Sequence, residues 1–221
     1  MFRRMGWCIV TAALLAGCGR GAALPEQNST LAGPTKALTA LVSTAPASPV
    51  VVAAPATLEK PVEAEKNPAG DIPDNQVFVK YASQAGGYEL QVPEGWARTT
   101  TEADVSFVDK LDGVMVTVDP ATTPPSVESI KAHQVAALQK SGRAVKVKDV
   151  QQVELGNGPA VRVAYDSNSD PNPVTNKQVR LENESYYFYK DSHLTTLTVW
   201  APLGADNVDQ WKLIVNSFKW R

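Results

Sequence analysis

The feature that most constrains this chain is where its aromatic residues fall. Fourteen of the sixteen Phe, Trp and Tyr residues lie in 78–221, and the other two, Phe2 and Trp7, sit within the first seven positions. Between Gly19 and Val77 there is none. Aromatic rings supply the largest apolar areas a core can bury, so only the C-terminal part can build one. That part is about 145 residues long, the size of one ordinary domain.

The first residues read as an address. Arg3 and Arg4 precede an apolar run from Trp7 to Ala16, about ten residues and too short to span a bilayer as a helix. The run ends in Leu15-Ala16-Gly17-Cys18, which resembles the lipobox of bacterial lipoproteins. Residues 1–17 are therefore expected to be a lipoprotein signal peptide and Cys18 the lipidated first residue of the mature chain. The protein is then expected in the cell envelope, anchored by lipid on the extracytoplasmic side of a bacterial membrane. Cys8 leaves with the signal and Cys18 carries lipid, so no thiol remains for disulfide, metal or nucleophile chemistry. Removing Arg3 and Arg4 takes the net charge from −2 to −4, which gives no basic footprint for nucleic acid.

Residues 18–75 read as a lipid-anchored, Pro/Ala-rich disordered linker. Eight prolines and twelve alanines occupy 19–73, and spaced prolines stop helix and central strand alike. A flexible chain of about 55 residues spans roughly 40 Å, enough to hold a domain well off the membrane.

From 76 to 221 the pattern turns to short strands separated by turn signals. Strands are expected at Val77–Ala82, Tyr88–Val92, Val105–Asp109, Val114–Asp119, Ala144–Leu155, Pro159–Asp166, Val174–Tyr189 and Leu194–Ala201. Asn157-Gly158 is the strongest hairpin signal, and Gly113 is read as the glycine closing a five-residue connection from Asp109. Val174–Tyr189 is long for one strand and invites a bulge. One helix starts at Ser126 and stops at Gly142, with Val127, Ile130, Ala137 and Leu138 on a stripe that Gln134 interrupts. A second, capped by Asp206 or Asn207, aligns Val208, Trp211, Ile214, Val215 and Phe218. Tyr186 and Phe188 face one way and Tyr187 and Tyr189 the other, so their strand needs cover on both sides. The expected class is α+β, an antiparallel sheet sandwiched between helices in α/β/α order.

Three stretches in this order carry a resemblance: Tyr88-Glu89-Leu90-Gln91-Val92-Pro93-Glu94-Gly95-Trp96, Leu155-Gly156-Asn157-Gly158-Pro159-Ala160 and Ile214-Val215-Asn216-Ser217-Phe218. Together they resemble the PsbP-like family over about 87–219. The resemblance implies an α/β/α sandwich around an antiparallel sheet that serves as a non-enzymatic binding or assembly module; a protein partner and no cofactor are expected. No ligand residue carries over, and no link to photosynthesis is implied.

The residues themselves offer little chemistry. There is no Gly-x-Ser-x-Gly elbow, and the only histidines, His133 and His193, lie on a helix and beside a turn. Asp166, Asn168 and Asp170 set oxygen donors at alternate positions, a weak calcium pattern that fails where a calcium loop needs Gly and Glu, at Pro171 and Lys177. Trp96 and Trp200 at strand ends, with Asp109 and Asp112 on one hairpin, form the candidate partner surface. The expectation is a membrane-anchored binding module that is not an enzyme. A small-ligand or calcium-binding lipoprotein is the alternative, and an envelope hydrolase built on a carboxylate pair comes behind it.

Overall fold

The computed structural model of this chain describes residues 59–141 and 143–221. The chain divides into two units, Met1–Val52 and Ala53–Arg221. The signal peptide expected at 1–17, the lipidation expected at Cys18, the part of the expected linker up to Leu58 and the helix stop expected at Gly142 lie outside the described residues.

Ten strands form among the described residues: β1 Phe78–Ser83, β2 Tyr88–Pro93, β3 Ala97–Thr101, β4 Asp104–Asp109, β5 Asp112–Pro120, β6 Lys146–Leu155, β7 Gly158–Asn168, β8 Arg180–Lys190, β9 His193–Pro202 and β10 Lys219–Trp220. Seven make one sheet in the order β3-β4-β5-β9-β8-β7-β6, and β1-β2-β10 make another. Every paired neighbour is antiparallel.

Period-two alternation sorts the large sheet into two faces. On the first, Phe107, Val114, Val199, Leu197, Tyr186 and Phe188 join the C-terminal helix residues Trp211, Ile214, Val215 and Phe218 and the small-sheet residues Tyr88, Leu90 and Val92 in one buried cluster. The ring of Phe218 stacks between those of Phe188 and Tyr88, at 4.6 and 5.7 Å. On the second face, Val161, Val163, Tyr165, Tyr187 and Leu194 pack with Ile130 and Val135. The antiparallel α+β class stands, but the single sheet expected is two. The first face is covered by a helix and a three-stranded sheet together, because β10 turns back after the last helix to pair with β2.

The first helical stretch is α1 Val127–Ile130, a π-helical turn Lys131–Val135, and α2 Ala136–Ser141. Ser126 caps it through a reciprocal pair with Ser129. The π turn absorbs the interrupted stripe: it lets Val135, five residues after Ile130, take the buried place that an α-helix would give to Gln134. The last helix, α3 Val208–Ser217, has Asn207 at its N-cap with no side-chain capping bond.

Four further details differ from the sequence reading. β3 has no counterpart there, since all five of its residues are exposed and show no alternation. β8 begins at Arg180 because Asn172 folds the preceding stretch into a turn, accepting hydrogen bonds from the Val174 and Thr175 amides. The bulge lies in β6, between Val147 and Asp149. The connection after Asp109 is the two residues Lys110-Leu111, with Lys110 at φ +53°, and Gly113 is already inside β5.

Residues 59–73 hold neither helix nor strand but run against the domain. The Val62 amide donates to Asn168 Oδ1, Lys60 C=O accepts from Asn168 Nδ2, and Ile72 is buried. None of the helices among the described residues is long and apolar enough to cross a membrane.

Candidate functional site

The four residues expected to share a partner surface fall at one end of the neighbouring strands β3, β4, β5 and β9, but their side chains are placed differently. Trp96 packs against the first-face core. The Trp200 indole lies on the opposite face, over Gly113, where an added Cβ would meet its Cζ2 at 1.9 Å. Asp109 and Asp112 are ladder partners across the β4–β5 turn, and Asp109 is exposed while Asp112 is 6% exposed. Asp112 is therefore corrected from surface residue to buried one. It faces Asn207 Nδ2 at 3.5 Å, the limit of a hydrogen bond, and the Gly70 stretch. Burial pushes its carboxyl up to about 7; Asp109 and Asp71 add to the shift, while Lys110 and Asn207 oppose it.

Each residue of the weak calcium triplet is engaged by partners of its own. Asp166 pairs with Lys148 at 2.6 Å, and Asp170 with Arg143 at 2.6 Å. Asn168 Oδ1 accepts from Arg180 at 3.0 Å as well as from Val62. The cationic side chains of Lys148, Arg143 and Arg180 beside these oxygen donors oppose a further cation there. Among the described residues no group of three His, Cys, Asp or Glu side chains gathers. His193 holds the Asp191 carbonyl at 2.7 Å, and His133 lines a surface cavity.

One polar cavity, of about 310 Å³, lies beside α3 and is lined by Arg162, Glu182, Glu184, Tyr186 and Trp211 among others. Glu184 accepts from Arg162 with one oxygen and from the Tyr186 hydroxyl, at 2.5 Å, with the other. Burial raises the Glu184 carboxyl, but those two bonds outweigh it and hold it below the usual range. Glu182, whose ion-pair partner among the described residues is Lys148 at 3.8 Å, is instead raised by burial.

Three cavities adjoin one another at the end of the large sheet where β8 turns into β9. A cavity of about 310 Å³ there is walled by Pro124, Pro125, Asn157, Phe188, Tyr189 and Trp220 with their neighbours. It shares Pro124 and Pro125 with a cavity of about 480 Å³ that continues to His133 and Ser192. It shares Trp220 with a third, of about 250 Å³, edged by Lys190, Asp191, His193 and Arg221. The Lys190 ammonium stands 5.7 Å above the Trp220 ring. Sequence patterning singles out none of these wall residues as a site. In sequence, Pro124-Pro125 reads as a lead-in to the helix and Asn157 as a turn residue. The one available signal is Trp220, an aromatic placed just beyond the last helix.

No protein-family model and no curated protein matches the chain. Solved structures similar to it include the solution structure of cyanobacterial PsbP from Synechocystis, at 12% identity and TM-score 0.47 over 69% of this chain and 99% of that one. The yeast Ran-binding protein Mog1p is similar at 9% identity and TM-score 0.45, over 65% and 95%. A Pseudomonas aeruginosa protein of unknown function is similar at 11% identity and TM-score 0.42, over 63% and 94%. These likenesses concern the path of the chain alone.

Proposed function

We propose that this chain is a lipid-anchored, extracytoplasmic binding module that holds a protein partner and performs no chemistry of its own. The observation that carries the reading is the row of three cavities at the β8–β9 end, joined through Trp220 and the Pro124-Pro125 pair. Aromatic and proline walls with a charged rim at Lys190, Asp191 and Arg221 have the composition of a protein-binding surface. A sheet shielded on both faces is the rigid frame that such a surface requires. The lipobox ending at Cys18 and the proline-spaced tether support an anchor, with the binding end free to reach a partner at the membrane. Trp200 and Asp109 remain accessory candidates on other parts of the surface.

Two measurements test the two halves of the reading. In cells expressing the full chain, the protein is expected in the membrane fraction and labelled by a fatty-acid probe, and Cys18→Ala is expected to remove the label and release the protein. A solubilised, acylated sample is expected to co-purify with one partner in constant ratio, and Trp220→Ala with Tyr189→Ala to abolish it. An unlabelled soluble wild-type protein, or recovery unaffected by those substitutions, contradicts the reading.

The polar cavity beside α3 favours a second reading, a small-ligand carrier, because Arg162, Glu182 and Lys212 converge with Trp211 on one space. A ligand that shifts the melting temperature of wild-type protein but not of Trp211→Ala would select it.

A further inference from the structure

The cavity beside α3 has a charged wall from the sheet and a mixed one from the helix. β7 and β8 supply Arg162, Glu182, Glu184 and Tyr186, and α3 supplies Val208, Trp211 and Lys212. Arg162 and Glu184 take each other, and the Tyr186 hydroxyl occupies the second oxygen of Glu184. One carboxylate and one ammonium are left in the lining, Glu182 on the sheet and Lys212 on the helix, and among the described residues they do not pair with each other. Lys148, 3.8 Å from Glu182, is held more closely by Asp166, at 2.6 Å. Lys212 holds Asp209 at 3.1 Å with both side chains largely exposed, and an exposed pair of this kind contributes little.

The sheet wall is short of positive charge. Asp166 and Glu184 oppose the ionisation of Glu182, Lys148 and the Gly204 amide favour it, and burial raises the carboxyl. Asp149, 3.6 Å from Arg162, adds another negative group. A cation entering the cavity is therefore favoured beside Glu182. On the helix wall, Val208 is 57% exposed although it belongs to the apolar stripe, so apolar surface is left uncovered one turn from the Lys212 ammonium.

From this arrangement we infer that the cavity is a site for a free α-amino acid with an apolar side chain, its ammonium at Glu182, its carboxylate at Lys212 and its side chain against Val208 and Trp211. The chemistry is complementary. Such a molecule carries one charge of each sign and an apolar branch on a single carbon, and the cavity offers one available charge of each sign with apolar surface between them. A plain amine would add positive charge beside Arg162 and Lys212 without answering either. A plain acid would bring negative charge to Glu182. At about 310 Å³ the cavity lies at the lower end of ligand cavities, roughly 300–1,000 Å³, and suits a ligand of that size. The inference rests on the small-ligand reading of this cavity and deepens it by naming the ligand class.

The test uses the full-length protein, with the Trp211 indole N–H followed by NMR. L-leucine is the probe; leucinamide lacks its carboxylate, N-acetylleucine lacks its ammonium and glycine lacks its apolar branch. Leucine is expected to shift the signal saturably in the submillimolar range, and each of the other three to bind at least about tenfold more weakly, a difference of about 1.4 kcal/mol. Glu182→Gln and Lys212→Ala are each expected to lose at least about tenfold in affinity for leucine while melting within a few degrees of wild type. Lys212 is exposed, so K212A decides the matter even where E182Q unfolds. Equal or tighter binding of leucinamide, as from the N-terminus of a peptide, or of N-acetylleucine, as from a C-terminus, would overturn the inference. So would the absence of a saturable shift with leucine, or undiminished binding by K212A. A different ligand that shifts the melting temperature of wild type but not of Trp211→Ala, alongside failure of leucine, would sink the inference and leave the small-ligand reading standing.

Discussion

The indole of Trp200 lies flat across Gly113, so that the missing side chain of one residue is the seat of the other. The two are ladder partners on β5 and β9. Gly113→Ala places a Cβ 1.9 Å from Cζ2, and the ring must swing off the sheet. The expected result is a loss of about 1–3 kcal/mol, the range for overpacking, together with a red-shifted tryptophan emission. Trp200→Ala in the same background should recover part of that loss, because the clash goes with the ring. Calorimetry on the single and double variants checks both.

A second relationship ties the segment before β1 to the domain. Asn207 Oδ1 accepts the Ile72 amide at 2.6 Å and its Nδ2 donates to the Gly70 carbonyl at 2.8 Å. This is why the N-cap residue of α3 makes no capping bond: its amide is committed to a segment some 135 positions earlier. Asn207→Ala orphans the buried Ile72 N–H and is expected to cost about 1–3 kcal/mol. Hydrogen exchange at the Ile72 amide should accelerate well beyond the acceleration in the core strands.

Asp112 gives the domain a definite pH dependence. Its carboxyl titrates at about 7 in the folded chain and at about 4 when unfolded, so between those values the folded state holds more protons. Its contribution is therefore most favourable below about pH 4 and is lost as pH rises through 7. Asp112→Asn is expected to flatten the melting temperature across this window and to stabilise the protein at pH 8 by at least about 1 kcal/mol. An unchanged slope in D112N would assign the effect to another group.

The π turn makes a prediction about deletion. Removing Gln134 restores ordinary helical spacing between Ile130 and Val135 while keeping both against the sheet. That variant should fold with a melting temperature within a few degrees of wild type, whereas Val135→Ala should cost about 1–2 kcal/mol through lost packing. Thermal denaturation of the two variants side by side decides it.

Much of this architecture was legible in the residues, and the misses have physical causes. Tyr186 to Tyr189 announce a strand covered on both faces, and the structure places Tyr186 and Phe188 in one core cluster and Tyr187 in the other. The stripe of α3 reads correctly at Trp211, Ile214, Val215 and Phe218, which are buried, whereas Val208 in its first turn is exposed. The earlier helix reads imperfectly because its period changes at Lys131–Val135, which the intruding Gln134 already signals. β3 carries no pattern because it is an edge strand exposed along its length. Gly113 stands out in sequence for the wrong reason, since a glycine admitting a ring and a glycine making a turn look alike there. Asp112 reads as a surface charge because a carboxylate beside a turn usually is one, and only the return of the Gly70 stretch buries it. The cavities at the β8–β9 end gather residues from positions 84 to 221, and no local pattern joins such distant points.

The measurement that bears most directly on the proposed function is site-specific photocrosslinking in cells. A benzophenone amino acid is placed in the full chain at Tyr189, inside the row of cavities, and in a separate strain at Thr100 on exposed β3. A single protein adduct that forms from position 189 and not from position 100, and that disappears with Trp220→Ala, is the predicted result. Adducts equally abundant from both positions, or from position 100 alone, would contradict it.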